Sequence, residues 1–283
     1  MLTVLEAINL STTYLEKKRI ESPRLSAELL LAEILNCQRI DLYIAFDRPL
    51  KENEVNTYRE FIRRRGNNEP LQYITGKVQF YGFDFKVTPA VLIPRPETEI
   101  LVDTIFGINK FQENLRILDI GTGSGIIAIS LAKLLLECSL EAIDISEEAI
   151  EIAKQNSVMN EVDDKINFLC ADIFNHNYEP ESFDIIVSNP PYISLKDYNQ
   201  LEPNVLNYEP KHALTDDKDG NSFYVEIIDK AIKWLKPNGQ IYFELGYDKR
   251  NFVEEKLDSA GFQNIKVIKD YQEIERVISG VKI

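Results

Sequence analysis

Leu115-Arg116-Ile117-Leu118-Asp119-Ile120-Gly121-Thr122-Gly123-Ser124-Gly125-Ile126-Ile127 is the stretch on which the fold turns. The apolar run Leu115–Ile120 predicts a buried strand, and Ile126–Leu135 predicts a helix. Between them, Gly121, Gly123 and Gly125 let the backbone bend tightly and approach a ligand. The helix that follows offers unpaired N–H groups at its amino terminus. A glycine-rich loop alone can be a mere tight turn; strand before and helix after make it a binding loop. The dinucleotide fingerprint would have its third glycine where Ile126 stands, so this is a shorter Gly-x-Gly-x-Gly variant. Asp119, just before the loop, suits a ligand with a cationic amine better than one with a pyrophosphate.

Working outward from this stretch, strands and helices alternate. Leu140–Ile145 predicts a second strand, followed by a helix with Ser146 as N-cap and Glu147 and Glu148 in its positive first turn. Ile166–Ala171, Phe183–Ser188 and Gln240–Leu245 predict further strands, with a helix near Phe223–Leu235 before the last. Near-continuous apolar strands separated by helices mean a parallel sheet covered on both faces. Such sheets bind ligands at the carboxyl ends of their strands, which here carry Asp119, Asp144, Asp172 and Asn189.

The chain before this region has another pattern. Leu2, Leu5, Ile8 and Leu15 recur at helical spacing. Ser22 as N-cap and Pro23 at the first helical position open a second helix with the apolar stripe Leu25, Leu29, Leu30, Ile34. A third runs near Val55–Arg65 and stops at Gly66-Asn67-Asn68. From about 71 to 92, Phe80, Tyr81, Phe83, Phe85 and Val87 flank Gly82 in an aromatic, strand-like stretch. Pro89, Pro94 and Pro96 then lead into a helix near Thr98–Phe106. The expected organisation is a helical domain over 1–70 that docks the substrate, a linking β-hairpin over 71–92, and an α/β domain over 93–283.

With 283 residues, 44% of them apolar and 28% charged, the chain can bury a sizeable core. The net charge is −14, all of it in residues 71–283, because residues 1–70 hold 11 basic and 11 acidic side chains. That balance argues against tight non-specific binding to nucleic acid and against an anionic membrane surface. Cys37, Cys138 and Cys170 stand in no metal-ligand spacing, and His176 and His212 are the only histidines, so no metal is expected. No signal peptide or spanning segment is read, and the expected location is the cytoplasm. The clusters Lys17-Lys18-Arg19 and Arg63-Arg64-Arg65 read either as a docking surface or as solvated helix faces.

Three further constellations lie at the strand ends. Asp144 follows Gly121 by 23 residues, where a carboxylate can accept hydrogen bonds from both hydroxyls of a ribose. Asp172 with Ile173 and Phe174 could hold an adenine through its exocyclic amine and its faces. Asn189-Pro190-Pro191-Tyr192 ends the fourth strand. An ordinary turn needs only one proline; two in series stiffen the backbone. The Asn189 side chain and the Pro190 carbonyl are then two acceptors suited to the two hydrogens of a planar –NH2 group, beside the aromatic face of Tyr192.

Together, Asp119–Gly125, Asp144 and Asn189–Tyr192 resemble the class I S-adenosylmethionine-dependent methyltransferases that act on planar amines or amides. More narrowly, Gln72-Tyr73-Ile74-x-Gly76, Phe80-Tyr81-Gly82 and Leu92-Ile93-Pro94-Arg95-Pro96-Glu97-Thr98-Glu99 resemble the release factor glutamine methyltransferases of the HemK/PrmC family. Glu209-Pro210, Asp219-Gly220 and Glu244-Leu245-Gly246 fit the same pattern, and the match runs from about residue 20 to 280. The resemblance implies a Rossmann-like domain that methylates the glutamine of the Gly-Gly-Gln motif in class I peptide chain release factors. The product would be S-adenosyl-L-homocysteine. Gly121, Thr122, Gly123, Ser124, Gly125, Asp119, Asp144, Asp172, Ile173 and Asn189 would contact the cofactor. Asn189, Pro190, Pro191 and Tyr192 would grip the substrate glutamine, with Asn189 and Pro190 catalytic. Ile173 stands where the family often has an aromatic residue, so an aliphatic contact would replace adenine stacking. A monomer is expected. The rival reading is an amino-methyltransferase acting on adenine or guanine of DNA or RNA, which the charge disfavours.

Overall fold

The computed structural model describes residues 2–283. The chain forms two compact units, one of residues up to Lys77 together with Glu202–Tyr208, the other of Val78–Leu201 and Glu209–Ile283. No helix among the described residues is long and apolar enough to cross a membrane.

The first unit is helical, with helices Val4–Lys17, Pro23–Leu35, Asp41–Ile44, Glu52–Gly66 and Leu71–Thr75. Thr3 and Glu6 close a reciprocal capping box at the start of the first. Ser22, expected to cap the second, has a left-handed backbone and no side-chain cap bond. The expected stripe is also rotated. Leu25 is 40% exposed, whereas Ala27, Leu30 and Leu31 are fully buried. This helix packs on both Val4–Lys17 and Glu52–Gly66, so two neighbours rather than one choose its buried face. Of the basic cluster, Arg64 pairs with Glu69, and Arg65 donates to Ser26 Oγ and to the Glu69 carbonyl. Those two guanidiniums stay within the unit, while Lys17, Lys18 and Arg19 are exposed. Tyr208 donates to the Asn67 carbonyl at 2.9 Å and holds the helix Pro203–Tyr208 in this unit.

The stretch expected as a hairpin over 71–92 is strand only within β1 (Lys77–Phe80) and β2 (Phe83–Lys86). Leu71–Thr75 is helical and stops at Gly76, whose φ of 75° leaves the helix. Tyr81 and Gly82 both have positive φ, the requirement of a two-residue hairpin turn whose twist matches its strands.

The second unit is built on a seven-stranded sheet in the order β5-β4-β3-β6-β7-β9-β8. Its strands are β3 (Leu115–Ile120), β4 (Cys138–Asp144), β5 (Ile166–Cys170), β6 (Phe183–Ser188), β7 (Leu235–Glu244), β8 (Phe262–Lys269) and β9 (Glu275–Lys282). The first five in that spatial order pair in parallel, and β9 joins β7 and β8 antiparallel. Alternate β3 residues feed opposite faces. Ile117 packs with Leu101, Ile105 and Ile129, and Leu118 with Tyr224, Ile228 and Leu257. Full burial of each such side chain contributes about 1.5–3 kcal/mol. The sheet extends beyond the strands read from sequence through β8 and β9, whose connection holds Tyr271-Gln272-Glu273. There Asp270 accepts from the Gln272 and Ile274 amides, and Glu273 takes the left-handed backbone.

Register sets the site. Ile120 lies opposite both Ile143 of β4 and Ser188 of β6, and Ser188 Oγ donates to the Ile120 carbonyl at 2.7 Å. The loops after β3, β4 and β6 therefore start level with one another. After β3 the chain builds outward to β5, then returns to β6 on the other side, so the switch point lies between β3 and β6.

Asn156, fully buried on the helix Glu147–Met159, ties this corner together. It accepts from the Lys86 amide at 2.7 Å and donates to the Lys86 carbonyl at 3.0 Å and the Ser124 carbonyl at 2.8 Å. Asn156→Ala removes three hydrogen bonds, expected to cost about 2–4 kcal/mol and to lower the melting midpoint by roughly 5–10 °C in a circular dichroism melt. A midpoint within a degree or two of the parent would show that Asn156 does not carry this corner.

Candidate active site

One cavity of about 240 Å³ opens at the switch point. Gly121, Thr122, Gly123, Ser124, Asp144, Asp172, Ile173, Asn189, Pro190 and Pro191 all line it. Gly121 and Gly123 have φ of 74° and 55°, and a Cβ built on either meets nothing within 4 Å. The loop thus turns bare backbone toward open space. Gly125, also left-handed, does a different job: a Cβ there would sit 2.8 Å from Ile129 Cδ1 and 3.2 Å from the Ala153 Cβ. Its bareness lets helix Ile126–Leu134 approach helix Glu147–Met159.

Asp144 is held by two backbone amides. Its Oδ2 accepts from Gly123 N–H and its Oδ1 from Ser146 N–H, each at 2.9 Å. Each carboxylate oxygen keeps a further lone pair. The Ser146 hydroxyl accepts from Ala149 N–H, as expected of the N-cap. Asp172 accepts from Phe174 N–H and from Asn175 Nδ2. Ile173 is buried in the core, and the aromatic surface beside it comes from Phe174 and Phe223, edge to face at 5.2 Å between centroids. Phe223, Arg95, Thr98 and His212 also line the cavity and carry no signal in the strand-end pattern, because the fold brings them there from other segments.

Besides Gly125, which is not in the cavity wall, two residues singled out from sequence stand elsewhere. Asp119 is fully buried beneath the loop and is not among the lining residues. It shares the sheet face of Ile117, and its Oδ2 accepts from Thr122 Oγ1 at 2.7 Å. Burial pushes its carboxyl up to about 7, against the opposing pull of hydrogen bonds from the Thr122 hydroxyl and the Ala128 backbone N–H. Tyr192 likewise is not in the cavity wall. Its ring packs where a Cβ on Gly246 would come within 2.6 Å of Tyr192 Cδ2, and a Cβ on Gly220 would lie 2.1 Å from the Tyr192 carbonyl oxygen. Asp219-Gly220 and Glu244-Leu245-Gly246 therefore make room for the segment that ends in Tyr192.

The string Leu92–Glu99 acts as a bracket within the same unit. Arg95 pairs with buried Glu209 at 2.5 Å, and Glu209 also accepts from Ile93 N–H. Glu99 accepts from Tyr81 N–H at 2.6 Å at the hairpin turn, and Glu97 meets Arg276 at 3.4 Å. Thr98 donates to Glu244 Oε2 at 2.6 Å and accepts from Asn189 Nδ2 at 3.4 Å. Glu244 is 3% exposed and also accepts from the Tyr192 hydroxyl at 3.3 Å. Burial pushes its carboxyl up to about 7 despite the Thr98 and Tyr192 hydrogen bonds. Arranged in this way, the cavity joins a bare glycine loop and fixed carboxylates to the Asn189-Pro190-Pro191 strand tip.

Comparison with known proteins places the chain in a family. A family model described as PrmC N-terminal domain matches residues 6–76, and one described as Methyltransferase domain matches residues 111–277. A release factor glutamine methyltransferase of Fusobacterium nucleatum is 40% identical over 279 residues, 98% of this chain and 78% of that protein. One of Rhodopirellula baltica is 38% identical over 286 residues, covering 98% of this chain and 95% of that protein. Among solved structures, a methyltransferase from Pyrococcus furiosus superposes with a TM-score of 0.53 at 22% identity, over 72% of this chain and 90% of that one, a likeness of fold. By its near full-length identity to these relatives, the chain belongs to the release factor glutamine methyltransferase family.

Proposed function

We propose that the protein transfers the methyl group of S-adenosyl-L-methionine to the side-chain amide nitrogen of the glutamine in the Gly-Gly-Gln motif of class I peptide chain release factors, and so acts in translation termination in the cytoplasm. The reading is carried by one observation: Asn189, Pro190 and Pro191 share a cavity wall with the glycine loop and Asp144. The names of the relatives support the choice of substrate. The −14 of residues 71–283 disfavours a polyphosphate backbone near that cavity.

The lining residues fit the cofactor. Asp144, already fixed by two amides, has lone pairs left for ribose hydroxyls. Gly121 and Gly123 give backbone a close approach. Asp172, Ile173 and Phe174 combine a carboxylate with apolar surface for an adenine. Asp119 acts differently from the expectation of a direct contact: it holds Thr122, and through it the loop, from below. When bound, S-adenosyl-L-methionine supplies an electrophilic methyl group on a sulfonium.

The chain's own work concerns the amide. An amide nitrogen is a poor nucleophile because its lone pair is delocalised into the carbonyl, and positive charge grows on nitrogen as it attacks. Asn189 Oδ1 and the Pro190 carbonyl accept the two N–H bonds, and stabilise that charge without the reorientation that bulk water would need. Holding the reactants in line supplies about 7–11 kcal/mol of the barrier reduction. The product nitrogen is acidic enough to shed its proton to water, so no strong base is required. Docking of the release factor is assigned to the helical unit, where Lys17, Lys18 and Arg19 remain exposed.

With labelled cofactor, the purified protein is expected to label a release factor, and substitution of the glutamine in its Gly-Gly-Gln loop is expected to abolish the signal. Persistent labelling of that variant would place the methyl group elsewhere. Asn189→Ala is expected to lower kcat by about 10²–10³-fold, with cofactor affinity by calorimetry changed far less. Equal losses in rate and in affinity would assign Asn189 to cofactor binding instead.

A further inference from the structure

We infer that Thr98 and Glu244 are positioning residues that decide which end of the Asn189 side-chain amide faces the cavity. The inference rests on the function proposed above, in which Asn189 must present an oxygen. An Asn side chain has a donor end and an acceptor end of nearly equal shape, so packing alone does not choose between them. A directed chain of hydrogen bonds does choose. Glu244 as a carboxylate only accepts. It takes the single hydroxyl hydrogen of Thr98 at 2.6 Å on Oε2 and that of Tyr192 at 3.3 Å on Oε1. Thr98 Oγ1 is left with lone pairs alone, and these receive Asn189 Nδ2 at 3.4 Å. Rotating the amide by 180° would bring Oδ1 against an oxygen with no hydrogen to offer. Polarity therefore runs from Asn189 through Thr98 to Glu244, and Oδ1 is the end directed away from Thr98.

The carboxylate is placed for this task. Glu244 is the last residue of β7, one past Phe243, which pairs with Ser188 at the end of β6. Asn189 follows Ser188, so Glu244 and Asn189 leave neighbouring strands at the same height. Thr98, fully buried at the first position of its helix, lies between them. Tyr224 fixes the backbone on either side, donating to the Glu244 carbonyl at 2.8 Å and accepting from Gly246 N–H at 3.3 Å. The charged and titratable groups facing Glu244 are Tyr192, Tyr224, Glu97 and Arg276. Protonating Glu244 gives the carboxyl a hydrogen of its own, which can go to Thr98 and reverse the chain.

Three variants test this by kinetic and binding constants, by pH profile and by amide exchange. Thr98→Val keeps the shape and removes the hydroxyl, Thr98→Ser restores it, and Glu244→Gln replaces an obligate acceptor with an amide that can donate to Thr98 as well as accept from it, so the polarity of the chain is no longer fixed. Thr98→Val and Glu244→Gln are each expected to lower kcat about tenfold or more, with KM for the release factor and the cofactor Kd within about twofold of the parent. Thr98→Ser is expected to return kcat to within about threefold of the parent. In the parent, kcat should rise with pH through about 7 as Glu244 ionises, and this limb should be absent in Glu244→Gln. The readout that does not depend on activity is the Asn189 side-chain –NH2 signal in ¹⁵N-labelled protein without substrate. Its protons should exchange slowly with water in the parent and in Thr98→Ser, and faster in Thr98→Val. A Thr98→Val enzyme as active as Thr98→Ser, or unchanged –NH2 exchange between them, would overturn the inference. A parent enzyme that fails to label the release factor would overturn the functional reading instead, and the exchange measurement would still decide the orientation of Asn189.

Discussion

The structure depends on one constraint: β3 is paired in parallel on both edges and covered on both faces. Ile117 and Leu118 have no water beside them, so neither they nor their neighbours in β4 and β6 can carry chemistry along their length. Polar function is confined to the places where the ladder stops. Because Ile120, Ile143 and Ser188 are level, the loops after three strands meet at one height. A slip of one residue would exchange the faces of β3, expelling Leu118 from its core and moving Asp119 from beneath its helix.

Around that edge the protein tolerates two buried carboxyls, and treats them unequally. Asp119 takes a single side-chain donor, the Thr122 hydroxyl, on Oδ2. Glu244 has a donor on each oxygen and a third hydrogen bond on its backbone carbonyl. The first carboxyl holds the loop that would receive the cofactor; the second holds the strand tip that would receive the substrate. Both are carboxyls buried beside the strand ends, as expected where function rather than packing selects the residue.

Much of this was legible before any coordinates. Leu115–Ile120 and Phe183–Ser188 are strands with the expected bounds, and Ser146 caps its helix as read. These are segments whose local signal, a buried apolar run or a capping serine, coincides with their tertiary role. Where neighbours intervene, local signals mislead. Leu25 lies on solvent because its helix is wedged between two others, and Ser22 is turned left-handed so that it cannot cap. Residues 202–208, separated by more than a hundred positions from the helical segments, join them through the Tyr208 to Asn67 hydrogen bond. No periodicity announces such a return. β8 was missed because a half-exposed strand with scattered lysines makes no apolar run, and β9 because Ser279 and Gly280 cut its buried stretch short after Val277 and Ile278.

For the site, the sequence by itself determined the strand-end carboxylates, the glycine loop and the double proline, because each is a local device that works wherever a parallel strand ends. Only the tertiary structure decided what faces the cavity. It turned Tyr192 away against Gly246 and set Asp119 underneath the loop. It also brought Thr98, Phe223 and Glu244 from distant segments to the Asn189 corner or the cavity wall. The reason is physical: the direction of a side chain and the polarity of a hydrogen-bond chain are properties of neighbours in space, and no spacing along the chain encodes them.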